Sequence, residues 1–185
     1  MKIVITGAVG HIGSFLIRDL AIHFPGVNIV MIDNMMTQRF SSLFNLPKTG
    51  NFQFIEGDVR TLNLNSIFEG ADSIIHLAAI TDAAGSFDKK VEVEENNYIS
   101  TLKVVNACLE TNSKLITLSS TSVYGTQNEV VDEECGEDEL QPQSPYAETK
   151  LKEERLISSL CKSDGLKAVT CRFGTIFGAS PGMRF

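Results

Sequence analysis

Basic residues are scarce in this chain: 16 lysines and arginines stand against 23 acids, a net charge of −7 over 185 residues. Neutralising a phosphate backbone takes a basic face, and the sequence shows none, which argues against a nucleic-acid partner. The four cysteines, Cys108, Cys135, Cys161 and Cys171, form no C-x-x-C, and no histidine stands at ligand spacing. Neither a zinc site nor a disulfide framework is suggested, and reduced thiols in the cytosol are expected. No apolar run approaches the ~18 residues of a membrane helix. Met1 leads straight into an apolar strand, which leaves no room for a signal peptide, so a soluble, cytoplasmic, untargeted protein is expected. Its apolar and charged fractions, 43% and 21%, are those of an ordinary globular protein. The length suits one domain with a substantial core and is short for two.

What the chain does have comes first. Lys2 to Thr6, reading Lys-Ile-Val-Ile-Thr, runs into Gly7-Ala8-Val9-Gly10-His11-Ile12-Gly13. A β-branched run meeting glycines at three-residue spacing predicts a buried strand that turns sharply into a helix. A diphosphate reaches the main-chain N–H groups at a helix N-terminus only where no Cβ intervenes, and the helix must lie close to the strand that feeds it. The same loop also suits a glycine-rich turn that binds nothing, so the rest of the chain has to decide.

Ile12, Phe15, Leu16, Leu20 and Phe24 recur at helical spacing and predict a face packed on a sheet, with Pro25-Gly26 as the stop. Asn28 to Ile32 is a second strand closed by Asp33. An acid about 20 residues beyond the loop is where a dinucleotide fold places one for the adenosine ribose, and it favours NAD over NADP; otherwise Asp33 starts a turn before Asn34. Residues 34–51 read as a loop, and Phe52 to Ile55 as a third strand ahead of Asp58-Val59. Ser73 to Leu77 is the fourth, leading into Ala78-Ala79, with His76 read as a core histidine holding a local hydrogen bond. Phe87 to about Glu110 is helical, stepping through Tyr98, Leu102, Val105 and Leu109. Asn97 inside it is a poor helix former and wants a reason.

Lys114 to Leu118 is a fifth strand that delivers Ser119-Ser120-Thr121-Ser122-Val123-Tyr124-Gly125. The acidic stretch Gln127 to Leu140 reads as a solvated flap. Ser144 suits the cap and Pro145 the first position of a helix carrying Tyr146 and Lys150 on one face. Ala168 to Arg172 is the sixth strand, followed by Phe173. Strands alternating with helices predict an α/β fold, a doubly wound parallel sheet in three layers. In such a sheet Gly7, Asp33, Asp58, Ala78, Ser120 and Phe173, each following an apolar run, project from one edge.

The Gly-x-x-Gly-x-x-Gly spacing, His76-Leu77-Ala78-Ala79, Asn97-Tyr98-Ile99-Ser100-Thr101 and Tyr146-x-x-x-Lys150 together resemble the extended short-chain dehydrogenase/reductase family. The resemblance is closest to its NAD-dependent nucleotide-sugar epimerases and dehydratases, and it covers nearly all of the chain. It implies a Rossmann-type NAD-binding domain over residues 1–185, a nucleotide-sugar substrate, and a homodimer formed through the two long helices. To the catalytic set it assigns Ser120, Tyr146 and Lys150. To the cofactor it assigns Gly7, Gly10, His11, Ile12 and Gly13 in the loop, then Asp33 and Asn34, Asp58 and Val59, Leu77, Ala78 and Ala79, Asn97, Phe173, and Tyr146 and Lys150 again. No metal is implied. An aspartate at the place of Asp58 also suits a helix N-terminus, and the residues alone do not separate the two readings.

The implied chemistry needs a base near neutrality, whereas a free tyrosine titrates near ~10. Lys150, the oxidised nicotinamide and the helix N-terminus are expected to lower the Tyr146 value. Three departures qualify the resemblance. Thr121-Ser122 stand where dehydratases of the family carry an Asp-Glu pair, which favours 4-epimerisation. A dehydratase, a simple dehydrogenase or reductase, or a non-catalytic dinucleotide sensor are the alternatives. Thr175 replaces a frequent Asn, and family members continue for roughly another domain. The chain is therefore expected to bind NAD and turn over poorly.

Overall fold

A computed structural model describes residues 1–81, 87, 90–126 and 130–183. β1 (Lys2–Thr6), β2 (Asn28–Asp33) and β4 (Ser73–His76) are near-continuous β-branched and apolar runs because both of their faces are covered. β3 (Asn51–Glu56) lies at one edge and is less buried. β5 (Lys114–Ser120) and β6 (Ala168–Phe173) complete the sheet. All neighbouring pairs are parallel, and the strand order is β3-β2-β1-β4-β5-β6. That order reverses direction between β1 and β4, and the crevice at such a switch point is where open α/β sheets bind ligands.

Alternation along the strands splits the core in two. Val4, Ile32, Ile74 and Leu115 face one way, against Phe68, Val104, Val105 and Ile157. These come from α2 (Leu64–Phe68), α3 (Lys90–Thr111) and α4 (Pro145–Ser163). Ile3, Ile5, Ile29 and Met31 face the other way, against Ile17 and Ala21 of α1 (His11–His23). The predicted three layers are therefore present.

Four local expectations need correction. On α1, Leu16 and Leu20 pack against the core as expected, beside the buried Gly13, Ser14, Ile17 and Ala21, whereas Phe15 and Phe24 are exposed. At Gly13 the helix lies too close to the Gly7–Ala8 backbone for a side chain, so the buried stripe opens on small residues before Ile17. α3 buries Val93, Asn97, Ser100, Thr101, Val104, Val105 and Cys108, a stripe offset from Tyr98 and Leu102 and more polar than expected. α2 was not foreseen, since five residues are too few to show a period. The supposed loop after β2 contains a tight helical turn over Phe40–Leu43. The helix expected from Phe87 is described from Lys90, with Phe87 itself a turn; residues 88–89 and the first three residues of the acidic stretch, 127–129, lie outside the described residues.

Candidate active site

The C-terminal ends of the strands are in register: Thr6 stands beside Ile32 and His76, Asp33 beside Glu56, and Ser120 beside Phe173. All six strand-end residues, Gly7, Asp33, Asp58, Ala78, Ser120 and Phe173, line one groove of about 970 Å³. That is the upper end of the volumes that small-molecule and cofactor sites occupy.

The glycine loop forms one wall. Gly7 has φ +67°, and a Cβ there would stand 2.7 Å from the Leu77 carbonyl carbon and the Ala78 nitrogen. A Cβ on Gly13 would stand 2.7 Å from the Ala8 oxygen. Both glycines are therefore required by strand and helix approach. Gly10 caps α1 without a side chain, which leaves the first turn of N–H groups to an incoming anion. His11 and Ile12 line the groove beside it.

The end of the groove at β2 and β3 is built from acids. Asp33 accepts from Val9 N (3.2 Å) and Met35 N (3.0 Å), tying β2 to the loop. Burial pushes its carboxyl above the usual range, against those two N–H groups and Arg39. Asp58 is held below the usual range, first by the Arg60 guanidinium, which grips it at 2.6 Å. Asn34 and Val59 line the groove between these acids.

Thr6 organises the floor. Its hydroxyl accepts from Leu77 N and Ala78 N, both at 3.3 Å, and lies 2.7 Å from His76 Nδ1. With both lone pairs taken, Thr6 donates to Nδ1, which places the neutral ring's proton on Nε2, facing Thr101 at 3.3 Å. Burial, helped by the charge on Lys150, pushes His76 down to about 3. It is the core histidine expected, though its ring borders the groove. Asn97 accepts from Ile80 N (2.8 Å) and donates to Ile80 O (2.9 Å), fixing the backbone just beyond Ala78-Ala79. Of the residues singled out from the sequence, Asn97 is the one that stands behind the groove without lining it.

Another part of the groove comes from β5 and α4. Ser120 accepts from Ser122 N (3.2 Å) and from the Ser122 hydroxyl (2.7 Å), so its own O–H remains to donate. Ser144 caps α4 by accepting from Ala147 N, and Pro145 opens the helix as its fixed φ favours. Tyr146 and Lys150 lie one turn apart, with Nζ 5.9 Å from the ring centre.

The Tyr146 phenol does not fall in this state. Burial raises it, Lys150 lowers it and Glu153 raises it again, with a net rise. The expected lowering overlooked Glu153, whose carboxylate takes Lys150 Nζ at 2.9 Å. Burial works against the Lys150 ammonium, but Glu153, Tyr146 and Glu154 outweigh it and hold it above the usual lysine range.

Two further features were not legible in the sequence. Arg172 on β6 grips Glu154 on α4 (2.7 Å) and donates to the Tyr124 hydroxyl (3.0 Å). Residues 180–182 fold back onto the glycine loop: Ser180 meets His11 Nδ1 at 2.8 Å, and Gly182 N donates to the Ser14 hydroxyl at 2.9 Å. Both are long-range contacts with no spacing to announce them.

The family model for the NAD dependent epimerase/dehydratase family matches residues 3–185. The chain is 35% identical over 185 residues to an uncharacterised UDP-glucose epimerase of Bacillus subtilis, covering 96% of this chain and 57% of that protein. It is 34% identical over 188 residues to a trifunctional UDP-glucose 4,6-dehydratase, 3,5-epimerase and reductase of Arabidopsis thaliana, covering 96% of this chain and 28% of that protein. Among solved structures it superposes on the UDP-glucuronic acid 4-epimerase of Bacillus cereus in complex with UDP-glucuronic acid and NAD. There the TM-score is 0.87 at 31% identity, covering 99% of this chain and 60% of that one. The chain thus spans between 28% and 60% of the length of these relatives.

Proposed function

Because the chain belongs to the NAD-dependent epimerase/dehydratase family, we propose that it is the dinucleotide-binding part of a nucleotide-sugar 4-epimerase working with tightly held NAD. The observation that carries this reading is the convergence of Ser120, Tyr146 and Lys150 on the groove whose other end is the glycine loop and Asp33. The cradle fits a dinucleotide: side chains at Gly7 and Gly13 are barred by the backbone, and the first turn of α1 carries no side-chain cap. Gly10 to Gly13 would hold the diphosphate, Asp33 and Asn34 the adenosine ribose, Asp58 and Val59 the adenine, and Leu77 to Ala79 with Phe173 the stretch toward the nicotinamide. When bound, NAD supplies a reversible acceptor for the hydride of a sugar C–H bond.

The chain's own residues do the proton chemistry. Tyr146 Oη takes the proton of the sugar hydroxyl and returns it after the keto sugar has presented its other face. The Lys150 ammonium favours the phenolate that this requires, and Ser120, with its O–H left to donate, steadies the same sugar oxygen. Thr121 and Ser122 follow Ser120 with no carboxylate to expel water, so epimerisation is favoured over the dehydration that one relative's name carries. The sugar pocket belongs to the further length that relatives possess. A second copy would pack on the two long helices, α3 and α4; on α3, Val91 and Ile99 are exposed.

Given a UDP-hexose, the full-length enzyme interconverts 4-epimers with no net NADH. Stoichiometric NADH would identify a dehydrogenase instead, and a 4-keto-6-deoxy product a dehydratase. Tyr146→Phe lowers kcat by roughly 10²- to 10⁴-fold, the share a positioned acid–base group supplies. NAD binding survives that change, whereas a dinucleotide sensor would lose nothing.

A further inference from the structure

Glu153 is the feature of this site that the reaction as described does not use. It sits one turn beyond Lys150 on α4, is 3% exposed, and holds Nζ through Oε2 at 2.9 Å. Its other oxygen, Oε1, is buried without a partner, and so is the Ser119 hydroxyl on β5. A buried ion pair with one oxygen unsatisfied is a poor way to stabilise a helix, since an apolar residue of similar volume often serves as well or better. Local cost beside a reacting group points to a role in the chemistry.

We propose that Glu153 is a positioning residue: its carboxylate fixes the direction of the Lys150 ammonium and offsets that cation's pull on the Tyr146 phenol. The first part follows from donor count. An ammonium has three N–H donors; committing one to Glu153, down the helix, leaves two for the groove that Lys150 and Tyr146 line. The second part follows from charge. A negative group fixed beside Tyr146 and Lys150 makes the first proton lost from that pair harder to remove, whichever of the two releases it.

The other groups around the pair leave Glu153 as the decisive one. On α4 itself, Glu154 is engaged by Arg172 of β6, which also holds Tyr124 of the turn after β5. From β4, His76 is neutral; from α3, the buried face brings Asn97, Ser100, Thr101 and Cys108, whose thiol is pushed up to about 12 by burial and stays uncharged.

This inference deepens the catalytic reading of Tyr146 and Lys150, but its test needs no turnover. The chain is labelled with ¹³C at the tyrosine Cζ and lysine Cε positions, Tyr146 is assigned against Tyr98 and Tyr124, and the pair is titrated by NMR. In Glu153→Gln the first deprotonation of the pair moves down by about one pH unit or more, the scale on which a neighbouring charge acts. Glu153→Asp, which keeps the charge, stays with the wild type. No movement in Glu153→Gln, or an upward one, overturns the proposal. Should that variant not fold, the wild-type Glu153 carboxyl resonance serves: it must shift when the pair loses its first proton, and indifference overturns the proposal equally. A shift seen in this chain, with no epimerase activity in the full-length enzyme, would uphold the role of Glu153 and sink the function instead.

Discussion

His76 keeps a neutral imidazole in a place where an exposed histidine would be half protonated in mildly acidic solution. Its folded value of about 3 lies below the ordinary 6.5. Between those values the unfolded chain binds a proton that the native chain refuses, so stability rises with pH there and is lost as pH falls from about 6.5 toward 3. The contribution is on the order of 5 kcal/mol at most. Replacing the ring by His76→Asn removes this part of the acid limb. Urea unfolding at a series of pH values in the interval is expected to give a shallower decline for the variant than for the wild type, and parallel curves would refute the assignment. The histidine's core character was legible in its apolar strand; its partners, Thr6 and Thr101, were not, because they come from 70 and 25 residues away. Asn97 is the converse case. Its cost inside a helix announced a purpose, and the purpose is the pair of hydrogen bonds to Ile80.

Elements were readable where a periodic pattern ran long enough and where chain punctuation was strong. Ser144 and Pro145 set the start of α4, and the glycine loop set the start of α1. The inward face of α1 was read in part: Leu16 and Leu20 pack against the core, but Phe15 and Phe24 are exposed, and the close approach at Gly13 admits no side chain. The return of residues 180–182 to the loop could not be read at all, yet it is specific. A Cβ on Gly182 would collide with the carbonyl oxygens of Val9 and Gly10. Gly182→Ala is therefore expected to break the Gly182 N to Ser14 bond and free the segment. Hydrogen exchange should rise at 180–183 and in the loop facing it, while exchange in β1 and β4 holds steady. Unchanged protection at Gly182 would mean that the contact does not order the segment.

At the scale of the molecule, the sheet has one consequence that no single residue carries. Six parallel strands in register put Gly7, Asp33, Asp58, Ala78, Ser120 and Phe173 on one rim, and among the described residues one groove runs from the glycine loop to Lys150 on α4. The sugar side is different. Relatives are longer by two fifths or more of their own length, and Ile176 and Phe177, which lead away from β6, line the groove while remaining exposed. An exposed apolar rim beside that groove argues that the two halves of the task separate. This chain is expected to bind NAD with a Kd within about tenfold, or ~1.4 kcal/mol, of that of the full-length enzyme, because the residues proposed to hold the cofactor all stand on or behind one groove of this chain. Its turnover of a UDP-hexose should fall by several orders of magnitude, because a misplaced or unheld sugar forfeits the orientation that makes proton and hydride transfer fast. Titration calorimetry with NAD and an epimer assay on the same preparation decide the matter. Weak NAD binding would place essential cofactor contacts outside these residues, and robust turnover would place the sugar site within them.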